Sequence, residues 1–141
     1  MPVRTLKSGD ERLAEQFLAQ HAESSMILRG NIPLNGLEYH DKQYQGNYFA
    51  SFTDSGVING ILTHYWNGNI IMQAPDERVL DDLIRAFRQA VTRPVAGVIG
   101  PDDQAVRVIS SLGFSDDQFA HSAPEKLYAL KLRDMKVPAK L

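Results

Sequence analysis

The stretch GVINGILTHYWNGNIIMQAP, residues 56–75, decides the fold. Two apolar, β-branched runs, residues 57–66 and 69–73, are joined by Asn67-Gly68. An Asn-Gly pair between such runs is a strong hairpin signal, because both central residues of a type I′ turn need positive φ. Alternation predicts Ile58, Leu62, His64 and Trp66 on one face of the first strand, with Val57, Ile61, Thr63 and Tyr65 on the other. Large side chains on both faces predict a hairpin covered from both sides, at the centre of its sheet. Pro75 then stops the strand, Asp76 offers a cap, and a long amphipathic helix begins. A strand that feeds a helix N-terminus is a common anion site, so the chemistry of that junction controls the functional reading.

Working outward toward the C-terminus, residues 77–91 carry Val79, Leu80, Leu83, Ile84, Phe87 and Val91 at helical spacing, with Arg93-Pro94 closing the helix. Residues 95–99 read as a short strand of the buried, parallel kind. Gly100-Pro101-Asp102-Asp103 reads as a turn and cap, and the aspartates there are caps before they are metal ligands or bases. The next helix points Ala105, Val106, Val108, Ile109 and Leu112 inward and ends at Gly113. A pair of strands around residues 118–121 and 126–132 finishes the domain. Toward the N-terminus, residues 48–53 form the strand before the hairpin, entered from a polar loop over residues 38–47. Ahead of that loop, Ser24 or Ser25 caps a short helix through Met26, Ile27, Leu28 and Ile32, ended by Pro33 and Asn35-Gly36. Residues 2–6 form a first strand. Ser8-Gly9-Asp10-Glu11 has the spacing of a capping box and opens a helix with Leu13, Phe17, Leu18 and His21 on one stripe. The order predicts a mixed α/β sheet with helices on both faces, one domain over residues 1–132, and a linker or tail over 133–141.

Composition narrows the classes. The 141 residues are 43% hydrophobic and 23% charged, ordinary values for a globular domain, and the net charge of −2 argues against nucleic acid or an anionic membrane as partner. With no cysteine there is no disulfide, thiolate metal site or cysteine nucleophile. Asp81-Asp82 and Asp116-Asp117 have no histidine at ligand spacing, so no metal is expected. The start of the chain has no apolar core of signal-peptide type, which makes the cytoplasm the expected compartment.

The element order resembles that of the GNAT superfamily of N-acetyltransferases (the acyl-CoA N-acyltransferase fold), and VIGPDDQAVRVISSLGF, residues 98–114, carries the likeness in its residues. It is similar to the family's strand followed by a helix reading N-x-x-A-x-x-L-Y-x-x-x-G-F. Asp102 falls at the Asn, Ala105 at the Ala, Val108 at the Leu and Gly113-Phe114 at the Gly-Phe. Two departures stand out. Members that bind acetyl-CoA place R/Q-x-x-G-x-G/A between the central strand and the long helix, so that backbone N–H groups approach the pyrophosphate. Here the junction reads Gln73, Ala74, Pro75, Asp76, Glu77, which has no glycine, one proline without a donor, and two carboxylates where the di-anion would sit. Ile109 takes the place of the tyrosine often used as general acid, and an alkyl group cannot donate that proton.

The resemblance therefore implies the degenerate N-terminal half of a two-domain acetyltransferase. Acetyl-CoA is implied for the parent protein, with none bound by this domain and no catalytic residue in it. The implied partners are a second GNAT domain in cis or a homo-oligomer partner, with a small-molecule amine as substrate. The domain's role would be to shape the substrate cleft or pack between domains; the alternatives are a stand-alone binding module using the vacant CoA groove, and an active enzyme with an atypical site. Candidate substrate-cleft residues are His64, Tyr65 and Trp66 on the hairpin and Tyr44 in the loop, beside Tyr39, His40 and Tyr48. An imidazole among aromatic rings can line a pocket for an amine; it can equally be packing across the hairpin.

Overall fold

The computed structural model describes residues 3–91, 93–113, 119–122 and 127–130. Seven strands, β1 (Val3–Thr5), β2 (Gly46–Phe52), β3 (Ile58–Tyr65), β4 (Asn69–Gln73), β5 (Gly97–Ile99), β6 (Phe119–Ser122) and β7 (Leu127–Leu130), form one sheet in the order β1-β2-β3-β4-β5-β7-β6. Among them β4 and β5 pair in parallel and the other neighbours are antiparallel. The helices are α1 (Glu11–Leu18), α2 (Met26–Asn35), α3 (Glu77–Ala90) and α4 (Asp102–Ser111), with a 3-10 segment, Ala19–Ser24, between the first two. The sequence-based order and sheet type therefore hold. The tail at 133–141, Phe114 and Asp116-Asp117 lie outside the described residues.

The sheet is covered on both sides by separate apolar layers. On one side Phe49, Leu62, Ile70 and Met72 pack against Val79, Leu80, Leu83, Ile84 and Phe87 of α3 and Ala105, Val108 and Ile109 of α4. On the other, Tyr48, Ala50, Ile61, Tyr65 and Ile71 meet Ala14, Phe17 and Leu18 of α1 and Leu28 and Ile32 of α2. Every residue of β4 is buried, as a strand between two helical layers requires.

Several local expectations are corrected. The hairpin loop is not a two-residue type I′ turn. The pairing of His64 with Ile70 leaves residues 66–68 in the loop; Gly68 N–H donates to the Tyr65 carbonyl at 2.9 Å, and Gly68 has φ of 90°. This is a type I turn followed by a left-handed residue, which needs one glycine where I′ needs two positive-φ residues. Trp66 therefore sits in the turn and packs at the edge of the α1–α2 layer. Ile58 also changes face. The β2–β3 register shifts between Ser51 and Phe52, so Gly60 pairs with Ser51 and Ile58 with Phe52, leaving Asn59 as the extra residue. A bulge of one residue reverses side-chain parity beyond it and delivers Ile58 to the α1–α2 layer.

The helix starts differ as well. α1 begins after Asp10, whose carboxylate accepts from the Lys7 N–H and both terminal guanidinium nitrogens of Arg4, while Ser8 N–H donates to Glu38. Ser8 is thus not the cap. α2 continues through Pro33 and ends at Gly36, φ 78°, because the proline enters in the last turn and costs one internal hydrogen bond. His21 lies in the 3-10 segment with its ring 5.0 Å from that of Phe17. α4 starts at Asp102, so Pro101 occupies the cap position, and Val106 is 42% exposed, not inward.

Gly60 lies where α3 packs tightly on the sheet, since a Cβ built there would lie 2.5 Å from Val79 Cγ1. Gly60→Ala should destabilise the fold by about 1–3 kcal/mol through overpacking. Gly30→Ala, in α2 with open space around the added methyl, should instead stabilise it by about 0.5–1 kcal/mol. Urea denaturation of both variants checks the pair, and equal effects would contradict the packing described.

Candidate functional site

β4 and β5 stay paired only from Asn69–Gly97 to Ile71–Ile99, so Met72 and Gln73 continue without β5 beside them. A buried strand that loses its neighbour must find other partners for its polar groups. Gln104, from the first turn of α4, supplies one. Its Oε1 accepts from the Ala74 N–H at 2.8 Å, and its Nε2 donates to Gln73 Oε1 at 3.2 Å. Gln73 Nε2 in turn reaches Ser25 Oγ at 3.4 Å, at the start of α2. All four residues are buried. Outside this chain of amides lies a groove of about 990 Å³ between α3 and α4, lined by Ala74, Pro75, Leu80, Ile84, Gln104 and Arg107 among others.

The mouth of the groove is the junction where an anion would meet α3. Asp76 is the N-cap, and its Oδ1 accepts from Arg78 N–H at 2.8 Å and Val79 N–H at 3.4 Å. The side chain of this helix's own cap therefore engages the donors that an anion at a helix end uses. Arg107 of α4 crosses to α3, meeting both oxygens of Asp81 at 2.8 Å and Glu77 Oε2 at 2.9 Å. The hydrogen bonds from Arg107 hold the Asp81 carboxyl below its ordinary range. Ile109 is 2% exposed and belongs to the core beneath, so it faces no solvent or groove chemistry. Among the described residues no group of three or more His, Asp or Glu side chains could hold a metal ion, and no helix is long and apolar enough to cross a membrane.

The other candidates gather at the opposite end of the hairpin. His64 pairs with Ile70 near the turn, whereas Gln73 to Asp76 leave the far end of β4. His64 is fully buried on the α3 side, edge-on to Phe87 at 5.1 Å, with Nε2 3.1 Å from the Pro94 carbonyl oxygen. A carbonyl can only accept, so Nε2 carries the proton. Tyr65 faces the other layer, where its hydroxyl lies 2.8 Å from that of Tyr48. Burial raises the pKa of both phenols, so both stay neutral. Trp66 lies 4.8 Å from the ring of Tyr44, a half-exposed loop residue with φ of 67°. Tyr44 and Trp66 thus come together at the surface; His64 and Tyr65 turn into opposite layers.

Three residues that organise these ends were not singled out in the sequence. Gln104 follows the turn at Gly100-Pro101-Asp102-Asp103, but nothing local marks a glutamine as a strand partner. Arg107 sits on the exposed side of a helix like any solvated charge. Arg93 has the sequence signature of a helix terminator beside Pro94; in the structure it donates to the Tyr65 and His64 carbonyls and to Asn47 Oδ1, and stacks over the Tyr39 ring at 4.2 Å.

Burial, and secondarily the charge of Arg93, lower the His64 pKa to about 4, against about 6.5 in the unfolded chain. Between those values the unfolded state binds more protons, so stability is complete above pH 6.5 and falls as pH drops toward 4. The integrated loss is about 3 kcal/mol. His64→Gln, which keeps a donor for the Pro94 carbonyl, should flatten this slope in denaturation curves measured across that window. An unchanged slope would show that His64 is not its source.

No protein-family model matches the sequence, and no curated protein matches it. Two solved structures do. One, a mutant of spermidine N-acetyltransferase from Vibrio cholerae, is 14% identical with a TM-score of 0.51, over 96% of this chain and 98% of that one. The other, an acetyltransferase of the GNAT family from Staphylococcus aureus, is 13% identical with a TM-score of 0.44, over 92% and 99%. The first of these, with the strand order above, shows that the chain has the fold of that N-acetyltransferase.

Proposed function

We propose that this chain is a non-catalytic GNAT-like domain that serves an acetyl-CoA-dependent N-acetyltransferase by helping to shape its substrate cleft and by packing against a catalytic domain, in cis or in a partner chain. The observation that carries the reading is the capping of α3 by Asp76. Its carboxylate engages the Arg78 and Val79 N–H groups, Pro75 has no N–H to offer, and Glu77 adds a second negative charge at the same helix end. A pyrophosphate placed there would meet two carboxylates and displace a cap worth about 0.5–2 kcal/mol. The buried Ile109 supports the same reading, because the position aligned with the family's acid holds only an alkyl side chain.

Packing against a second domain is supported by α2, which leaves Met26 74%, Ile27 45% and Leu34 83% exposed while it turns Ser25 toward the sheet. Large apolar side chains grouped on one helix face are the usual mark of an interface. The α3–α4 groove supports the second reading, a binding module that uses the space for another ligand.

Titration calorimetry with acetyl-CoA at millimolar concentration should give only heats of dilution. Saturable heat would overturn the proposal and favour an active enzyme with an atypical cofactor site.

A further inference from the structure

Asn-Gly occurs three times in the chain, at residues 35–36, 59–60 and 67–68. The dipeptide carries an internal reaction, because glycine has no side chain to shield its backbone nitrogen from the asparagine amide. That nitrogen attacks the asparagine Cγ. The N–Cγ bond forms, the Cγ–Nδ2 bond breaks, and ammonia leaves with the proton of the glycine N–H. Water then opens the cyclic imide at either carbonyl, giving aspartate or isoaspartate. Ring closure needs rotation of the asparagine backbone, so a folded chain permits it only where the dipeptide can leave its place.

Two of the three are fixed. The Gly68 N–H donates to the Tyr65 carbonyl at 2.9 Å, the Gly68 carbonyl accepts from the Ala96 N–H at 2.8 Å, and Asn67 Oδ1 accepts from the Asn69 N–H at 3.1 Å. Gly68 is buried, and a Cβ there would lie 3.0 Å from both Ala96 Cβ and the Pro94 carbonyl oxygen. Asn59-Gly60 belongs to the β3 bulge, where Gly60 is buried against Val79 and paired with Ser51. Asn35-Gly36 is held differently. It closes α2, both residues are half-buried, and a Cβ on Gly36 would meet nothing within 4 Å outside its own turn. The Gly36 N–H donates to the Ile32 carbonyl at 2.9 Å, and Asn35 Nδ2 reaches the Asn31 carbonyl at only 3.4 Å. Pro33 already deprives this last turn of a donor.

We propose that Asn35 is a site of spontaneous modification, the asparagine that the folded chain converts first to isoaspartate, and that the conversion loosens the end of α2. Fraying of one helical turn frees the dipeptide there, whereas the other two need a hairpin loop or a central strand to open. The glycine that makes the site reactive is also required by the fold, since Gly36 has φ of 78°, which other residues adopt only with strain. The product is unfavourable for the helix in two ways. Isoaspartate routes the backbone through an extra methylene and so displaces the Gly36 N–H from the Ile32 carbonyl. Its carboxylate also adds negative charge at a helix C-terminus, where the dipole is already negative. Ile32 and Leu37, which flank the site, are both buried in the α1–α2 layer, so the disturbance reaches the core.

The full chain is incubated in mildly alkaline buffer at body temperature, folded and in parallel unfolded in urea, and peptide mass spectrometry follows isoaspartate at each site. In urea the three sites share the same dipeptide and should convert at comparable rates. In the folded chain Asn35, scaled to its own rate in urea, should convert about tenfold or more faster than Asn59 and Asn67, whose openings break more contacts. Asn35→Gln, which would have to close a larger and slower ring, should abolish the fast phase of ammonia release and leave the slow one. Conversion of Asn59 or Asn67 as fast as Asn35 in the folded chain would overturn the assignment, as would a fast phase that survives Asn35→Gln. The chain carrying isoaspartate at position 35, separated by ion exchange, should unfold at lower urea than the unmodified chain. An unchanged midpoint would overturn the effect on α2.

Discussion

Where two buried strands diverge, the backbone amides between them must find new partners in a dry interior, and the α3–α4 half of this molecule is arranged around one such place. β4 and β5 separate after Ile71 and Ile99, and the Ala74 N–H beyond that point is met by Gln104. Left unpaired it would cost about 1–3 kcal/mol. The same contact fastens α4 to the end of β4 and so fixes the spacing of α4 from α3. Higher up, Arg107 ties the two helices through Asp81 and Glu77, but these side chains are more than a third exposed, and such pairs contribute little. The width of the groove is therefore set at its floor by neutral, buried amides, and the charges at its mouth follow.

The turn end of the hairpin is organised on a different principle. There one guanidinium, Arg93, gathers two strand carbonyls, the Asn47 amide oxygen and the Tyr39 ring. A planar fork with several donors can join three segments at once, which an ammonium group cannot do with the same geometry. The loop that precedes β2 is held by this residue, so its aromatic side chains are placed by packing on the hairpin before any ligand is considered. Separation along β4 gives the molecule two chemically distinct ends: a neutral amide seam under a charged groove, and an aromatic patch pinned by a cation.

Much of the scaffold was legible because it depends on periodicity and punctuation. The α3 stripe, from Val79 to Phe87, is a 3.6-residue pattern closed by Arg93-Pro94, and the strands around it are bounded by glycine and proline. Asp76 was readable as a cap because capping is local chemistry. What could not be read depends on partners distant in sequence. The face of Ile58 depends on a bulge defined by the register against β2, which no local pattern within β3 records. The role of Gln104 depends on a strand end 30 residues earlier, and that of Arg93 on carbonyls 28 and 29 residues earlier. The type I′ expectation failed for a narrower reason: Asn-Gly is compatible with two loops, and the number of residues between paired positions, not the dipeptide, selects one.

The bulge at Asn59 also affects how the strand can go wrong. Residues on its two sides follow opposite parity: Ile61 and Tyr65 at odd positions share a layer with Ile58 at an even one. A uniform strand that slips by one residue can exchange its faces wholesale and still present a consistent stripe to each layer. Here an unbulged pairing satisfies only one of the two segments in any register, because the face that suits one half mismatches the other. The extra residue therefore works as an asymmetric key, and the central strand of the sheet is protected against pairing without the bulge by a break in its own pattern.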